Sequence, residues 1–70
     1  MNIVGPQVRA LRESQGMTQE ELTTKCNLLD WDISRSSLAK IESQVRRVTD
    51  IEVALLSEAL HVQIVRLFTK

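Results

Sequence analysis

Three segments of this chain repeat one pattern, and that pattern dictates where helices begin. Met17-Thr18-Gln19-Glu20-Glu21-Leu22, Ile33-Ser34-Arg35-Ser36-Ser37-Leu38 and Val48-Thr49-Asp50-Ile51-Glu52-Val53 each read apolar, hydroxyl, three residues, apolar. A Ser or Thr at the N-cap accepts a hydrogen bond from an orphan backbone N–H of the first turn, and the flanking apolar pair closes over it as a hydrophobic staple. Helices are therefore predicted to start at Thr18, Ser34 and Thr49. Glu21 and Glu52 follow their caps by three residues and complete capping boxes; Ser34 has no such partner.

Upstream, Val4, Val8 and Leu11 share a face at helical spacing, with Pro6 tolerated in a first turn and Gly16 suited to the stop. After Thr49, Ile51, Ala54, Leu55 and Leu60 carry a helix to about His61, and Ile64, Val65, Leu67 and Phe68 read as a short fifth. No alternating strand pattern occurs. The expectation is an all-α, five-helix fold in one domain spanning residues 1–70.

Seventy residues sit at the small end of what folds alone, which leaves no room for a deep enclosed enzyme pocket. Cys26 is the only cysteine, so no internal disulfide forms, and His61 is the only histidine, with no second ligand at metal spacing. A Cys26–His61 nucleophilic dyad lacks a third member; Cys26 reads better as a buried thiol and His61 as a helix-end residue. No enzyme activity, metal or cofactor is expected. Met1 to Pro6 carry neither a basic start nor an apolar run long enough for a signal peptide or membrane span, so a soluble cytoplasmic protein is expected.

Net charge is zero, which argues against indiscriminate nucleic-acid binding driven by counterion release. Between Ile33 and Arg47, however, Arg35, Lys40, Arg46 and Arg47 face a single acid, Glu42. Either this is a chance cluster on a solvated face or it is an electrostatic footprint, and helix geometry bears on the choice. At about 100° per residue, Leu38 and Ile41 mark the buried side of the third helix, while Ser36, Ala39, Lys40, Ser43 and Arg47 fall opposite. That face is small, polar and basic, and it carries no acid. Ser and Ala let a backbone approach a groove, while Lys and Arg supply donors to bases and phosphates. Glu42 and Arg12 each flank an apolar stripe, which points to a register-fixing ion pair between helices.

Leu11-Arg12, Gly16-Met17-Thr18-Gln19-Glu20-Glu21-Leu22 and Ile33-Ser34-Arg35-Ser36-Ser37-Leu38-Ala39-Lys40-Ile41-Glu42 together resemble the lambda repressor and Cro type of helix-turn-helix domain, the XRE family, over nearly the whole chain. The resemblance implies a bacterial or phage-like transcriptional regulator that binds double-stranded DNA, with the third helix as the recognition helix. By that likeness Gln19, Arg35, Ser36, Ser37 and Lys40 read bases, and Thr18, Ser43, Arg46 and Arg47 contact phosphates. The Arg12–Glu42 pairing is similar to one the family often shows. A homodimer on a two-fold symmetric operator is implied, and Ile64, Val65, Leu67 and Phe68 form either its dimer surface or the last piece of the core.

Two departures stand out. The family's short Leu-Gly-Val-Ser turn is replaced by the longer Cys26-Asn27-Leu28-Leu29-Asp30-Trp31-Asp32-Ile33-Ser34, which either extends the second helix or lengthens the loop. Gln44 occupies the place where glycine commonly ends the recognition helix, so that end is longer or capped differently. Trp31, between two aspartates that repel phosphate, either folds over the core edge or marks a partner surface. The rival function is a helical protein-interaction module, an antitoxin or coactivator, that binds a partner chain. RNA binding lacks the aromatic platform it requires.

Overall fold

The computed structural model describes residues 3–68 as four α-helices and a closing turn: α1 Gly5–Ser14, α2 Gln19–Asn27, α3 Arg35–Glu42, α4 Asp50–Leu60 and a 3-10 turn at Ile64–Leu67. No strand occurs among the described residues. Three helices begin at the expected caps. The hydroxyls of Thr18, Ser34 and Thr49 accept from the backbone N–H groups of Glu21, Ser37 and Glu52. Glu21 and Glu52 return the bond to the N–H groups of Thr18 and Thr49, closing both capping boxes.

The expected fifth helix is corrected to a single 3-10 turn of four residues, in which Arg66 N–H donates to the Gln63 carbonyl and Phe68 N–H to that of Val65. Four residues are too few to build an α ladder, and i→i+3 bonds satisfy so short a segment. The turn still performs the expected packing role through one side chain, because Leu67 is fully buried.

All four helices end alike. Gly16, Asp30, Gln44 and His61 adopt left-handed backbone conformations, with φ of 71°, 63°, 68° and 56°. In each case the next residue's N–H reaches back five positions: Met17 to Arg12, Trp31 to Cys26, Val45 to Lys40 and Val62 to Ser57. This is the Schellman closure, which gathers orphan carbonyls at a helix end. The residue after each left-handed position is apolar, and Met17, Trp31 and Val62 pack against the core as the motif's hydrophobic contact. Gln44 thus closes α3 as glycine would, and the helix is not extended.

The lengthened connection is accounted for in the same terms. After Asn27 the chain keeps a helical path through Leu28 and Leu29, with Leu29 N–H on the Cys26 carbonyl, and then reverses at Asp30. The Asn27 amide donates to the Trp31 carbonyl at 2.8 Å and to that of Ile33 at 3.3 Å, and Ile33 is buried. The added residues therefore divide between a tightened end of α2 and a stapled loop. Half-buried Trp31 folds over the core edge, the first of its two readings.

The core gathers Val4, Val8 and Leu11 with Leu22 and Cys26 of α2, Leu38 and Ile41 of α3, and Leu56, Ala59 and Leu60 of α4. Helix α3 packs on α1 and α2, while α4 closes the far side against α1, α2 and the 3-10 turn. No helix among the described residues is long and apolar enough to cross a membrane.

Candidate nucleic-acid interface

α3 is two turns long, roughly 12 Å at 1.5 Å per residue, enough to lie in a major groove. Leu38 and Ile41 fasten it to the core at zero exposure, which turns Arg35, Ser36, Lys40 and Ser43 outward. One expectation needs correction here. Helical periodicity continued to Arg47 predicts it on this face, but α3 stops at Glu42 and reverses at Gln44, so Arg47 sits in the following loop. Its exposure is retained; its position relative to Lys40 is set by the loop and not by the helix.

The described cations fall into two groups. Arg9, Arg12 and Arg46 are each held by a carboxylate: Glu13, Glu42 and Glu52. Among the described residues, the side chains of Lys25, Arg35, Lys40, Arg47 and Arg66 make no hydrogen bond or ion pair, and neither does the Ser36 hydroxyl. The cations left unengaged in the segment 33–47 are thus those of the exposed α3 face and its adjoining loop. Ser37 differs, because its hydroxyl lies 3.2 Å from that of Ser34 within the cap.

The expected Arg12–Glu42 pair is present and buried. Arg12 Nε and Nη2 donate to the two Glu42 oxygens at 2.8 and 3.1 Å, and Nη1 donates to the Met17 carbonyl at 2.7 Å. The Glu42 hydrogen bond raises the Arg12 pKa further, so the guanidinium stays charged. This tie joins α1, the α2 entrance and the C-terminal end of α3, which fixes α3 in register.

Gln19 joins the same network, a contact that sequence reasoning missed. Its Nε2 donates to Glu42 Oε1 at 3.0 Å. A carboxylate only accepts, so the nitrogen must face Glu42 and the amide orientation is fixed. No periodicity signals this bond, because it joins the start of α2 to the end of α3. Thr18 spends its hydroxyl lone pair on the α2 cap, and the Thr18 bonds hold the Glu21 carboxyl below its ordinary range.

Arg46 also pairs within the chain. Its Nη1 and Nη2 donate to the two Glu52 oxygens at 3.0 and 2.8 Å, so the side chain turns toward the start of α4. At the C-terminal end, Ile64, Val65 and Phe68 remain about half exposed, whereas Leu67 belongs to the core. The expected dimer surface thus loses one of its four residues to packing. Cys26 is buried, which pushes its thiol up to about 11, and exposed His61 closes α4. No group of three or more His, Cys, Asp or Glu side chains is gathered as a metal site among the described residues.

Two packed helices with a reversing connection, the second presenting a small, polar, basic outer face, define a helix-turn-helix unit. A family model described as helix-turn-helix matches residues 8–67, and the chain belongs to that family, the lambda repressor-like group of DNA-binding domains. Neither the comparison with curated proteins nor that with solved structures found a match.

Proposed function

We propose that the chain is a sequence-specific transcriptional regulator of prokaryotic or phage origin, acting in the cytoplasm on nucleoid DNA as a repressor-like homodimer. The observation that carries this reading is the division of cations within residues 33–47: Arg46 is tied to a carboxylate, while Arg35, Lys40 and Arg47 are left to meet an anion. In the complex, α3 enters the major groove with Arg35 donating bidentately to guanine O6 and N7, and Ser36 and Lys40 reading neighbouring edges. Ser37 lies at the periphery of the read sequence.

Gln19 enters the same groove with its nitrogen committed to Glu42, so its carbonyl oxygen favours a base donor such as adenine N6 or cytosine N4. Thr18, Ser43 and Arg47 contact phosphates around this centre. Few cations per subunit give little electrostatic affinity, and a two-fold dimer doubles the contacts. Ile64, Val65 and Phe68 supply the dimer surface, placing recognition helices about 34 Å apart. Occupation of the operator would block polymerase by exclusion.

Selection of the purified protein on a random duplex library at moderate salt tests this. A palindromic site that an Arg35→Ala, Lys40→Ala double variant fails to enrich is the expected result. Enrichment of nothing, even at low salt, sinks the reading for this chain; retention of a protein partner by charge-reversed variants at Lys40 and Arg47 would then establish the interaction module.

A further inference from the structure

The two capping boxes are identical in sequence grammar and different in what they do. At α2, Glu21 accepts from Thr18 N–H and holds no arginine. At α4, the Glu52 carboxylate accepts from Thr49 N–H at 3.0 Å and also receives both terminal nitrogens of Arg46 at 3.0 and 2.8 Å. Arg46 Nη1 donates in addition to the Arg47 carbonyl at 3.0 Å. One guanidinium therefore ties the start of α4 to the backbone of the residue beside it.

We propose that Glu52 is a positioning residue of the DNA-binding surface: it withholds Arg46 from the phosphate backbone and fixes the loop so that Arg47 alone presents a cation there. This inference rests on the DNA-binding reading above. Planar, two-point pairing with a carboxylate matches what a phosphate would offer Arg46, so a phosphate gains little by displacing Glu52. The pair is also partly shielded, with side-chain exposures of 32% for Arg46 and 15% for Glu52, which strengthens it relative to a solvent-exposed pair. Each member holds the other in its charged form: the Glu52 pKa is lowered and that of Arg46 raised, chiefly by their mutual hydrogen bonds. Arg47, by contrast, is exposed and has no side-chain partner among the described residues, while its carbonyl is anchored.

The consequence is a limit on sequence-independent affinity. Two adjacent arginines would both be expected to neutralise phosphates, yet one is reserved, which keeps non-specific binding low relative to base readout.

The salt dependence of binding counts engaged cations and so tests the proposal. Affinity for a random-sequence duplex is measured by fluorescence anisotropy between about 50 and 200 mM salt for the wild type, Arg46→Ala, Arg47→Ala and Glu52→Gln. Glutamine serves in a capping box, so the last variant keeps the α4 cap while discharging the clamp. Arg47→Ala should make the slope of log affinity against log salt shallower by about 0.9 per subunit, Arg46→Ala should leave it unchanged, and Glu52→Gln should steepen it by about 0.9 as Arg46 reaches a phosphate. That last change is an additional loss of about threefold across the salt range.

A slope as shallow in Arg46→Ala as in Arg47→Ala overturns the proposal, as does an unchanged slope in folded Glu52→Gln. Should Glu52→Gln fail to fold, the two arginine variants decide the matter. A wild type with no duplex affinity overturns the DNA reading itself, whereas binding with an engaged Arg46 overturns the positioning role alone.

Discussion

The buried Arg12–Glu42 pair is the residue-scale feature on which the placement of α3 depends. Taking two charges out of water opposes folding, and the short hydrogen bonds together with the Met17 carbonyl offset that cost. Removing one partner should be far worse than removing both. Glu42→Ala, which strands a buried guanidinium and releases Gln19, should lower unfolding free energy by about 3 kcal/mol in urea titration, while an Arg12→Met, Glu42→Leu double variant should recover much of it. An additive double loss would show that the pair itself is not the cause. Cys26 makes a second residue-scale prediction. Burial favours its neutral thiol, so the folded chain holds that proton to higher pH than the unfolded chain, whose thiol loses it near 9.0. Stability should therefore fall as pH rises from about 9 to about 11, by on the order of 2 kcal/mol across the window. Measured against Cys26→Ala, an equal alkaline decline in both proteins would contradict this assignment.

At the scale of the element, three helices open on a hydroxyl cap and α1 on Pro6, and all four leave through a left-handed residue. Three exits use non-glycine residues, each held in a conformation that costs an L-residue about 1 kcal/mol. His61 is exposed, and its side chain makes no hydrogen bond or ion pair among the described residues, so His61→Gly should raise unfolding free energy by about 0.5–1 kcal/mol. A destabilised glycine variant would mean that the lost freedom of the unfolded chain outweighs the strain. The entrances were legible because a cap is a local bond between a side chain and a backbone three residues away. The exits were mostly not, since the motif needs only a tolerated φ and a following apolar residue. That apolar residue, Met17, Trp31, Val45 or Val62, was nevertheless a signal: it marks the residue after each reversal.

The whole molecule has no net charge, yet within residues 33–47 its cations are sorted by pairing, which sets how it should respond to salt. Counting Arg35 and Lys40 in the groove and Arg47 at the phosphates as the cations that each subunit brings to DNA, a monomer should show a slope of about −3 and a two-fold dimer about −5. Salt titration beside sedimentation of the complex checks this. A slope near −7 in a dimer would mean that one further cation per subunit, Arg46, Lys25 or Arg66, takes part.

Local chemistry was enough to determine the caps, the apolar stripes and the family, because each rests on bonds within a turn or on helical periodicity. The Arg12–Glu42 pair was also within reach, as two charges flanking two apolar stripes have few other places to go. Only the tertiary structure decided that Gln19 is tied to Glu42, that Arg46 is turned to Glu52, that Leu67 belongs to the core, and that Arg47 leaves the helix. Those outcomes depend on how helices approach one another and where the chain reverses. Both are fixed by packing the whole core at once, and no single window of sequence contains that information.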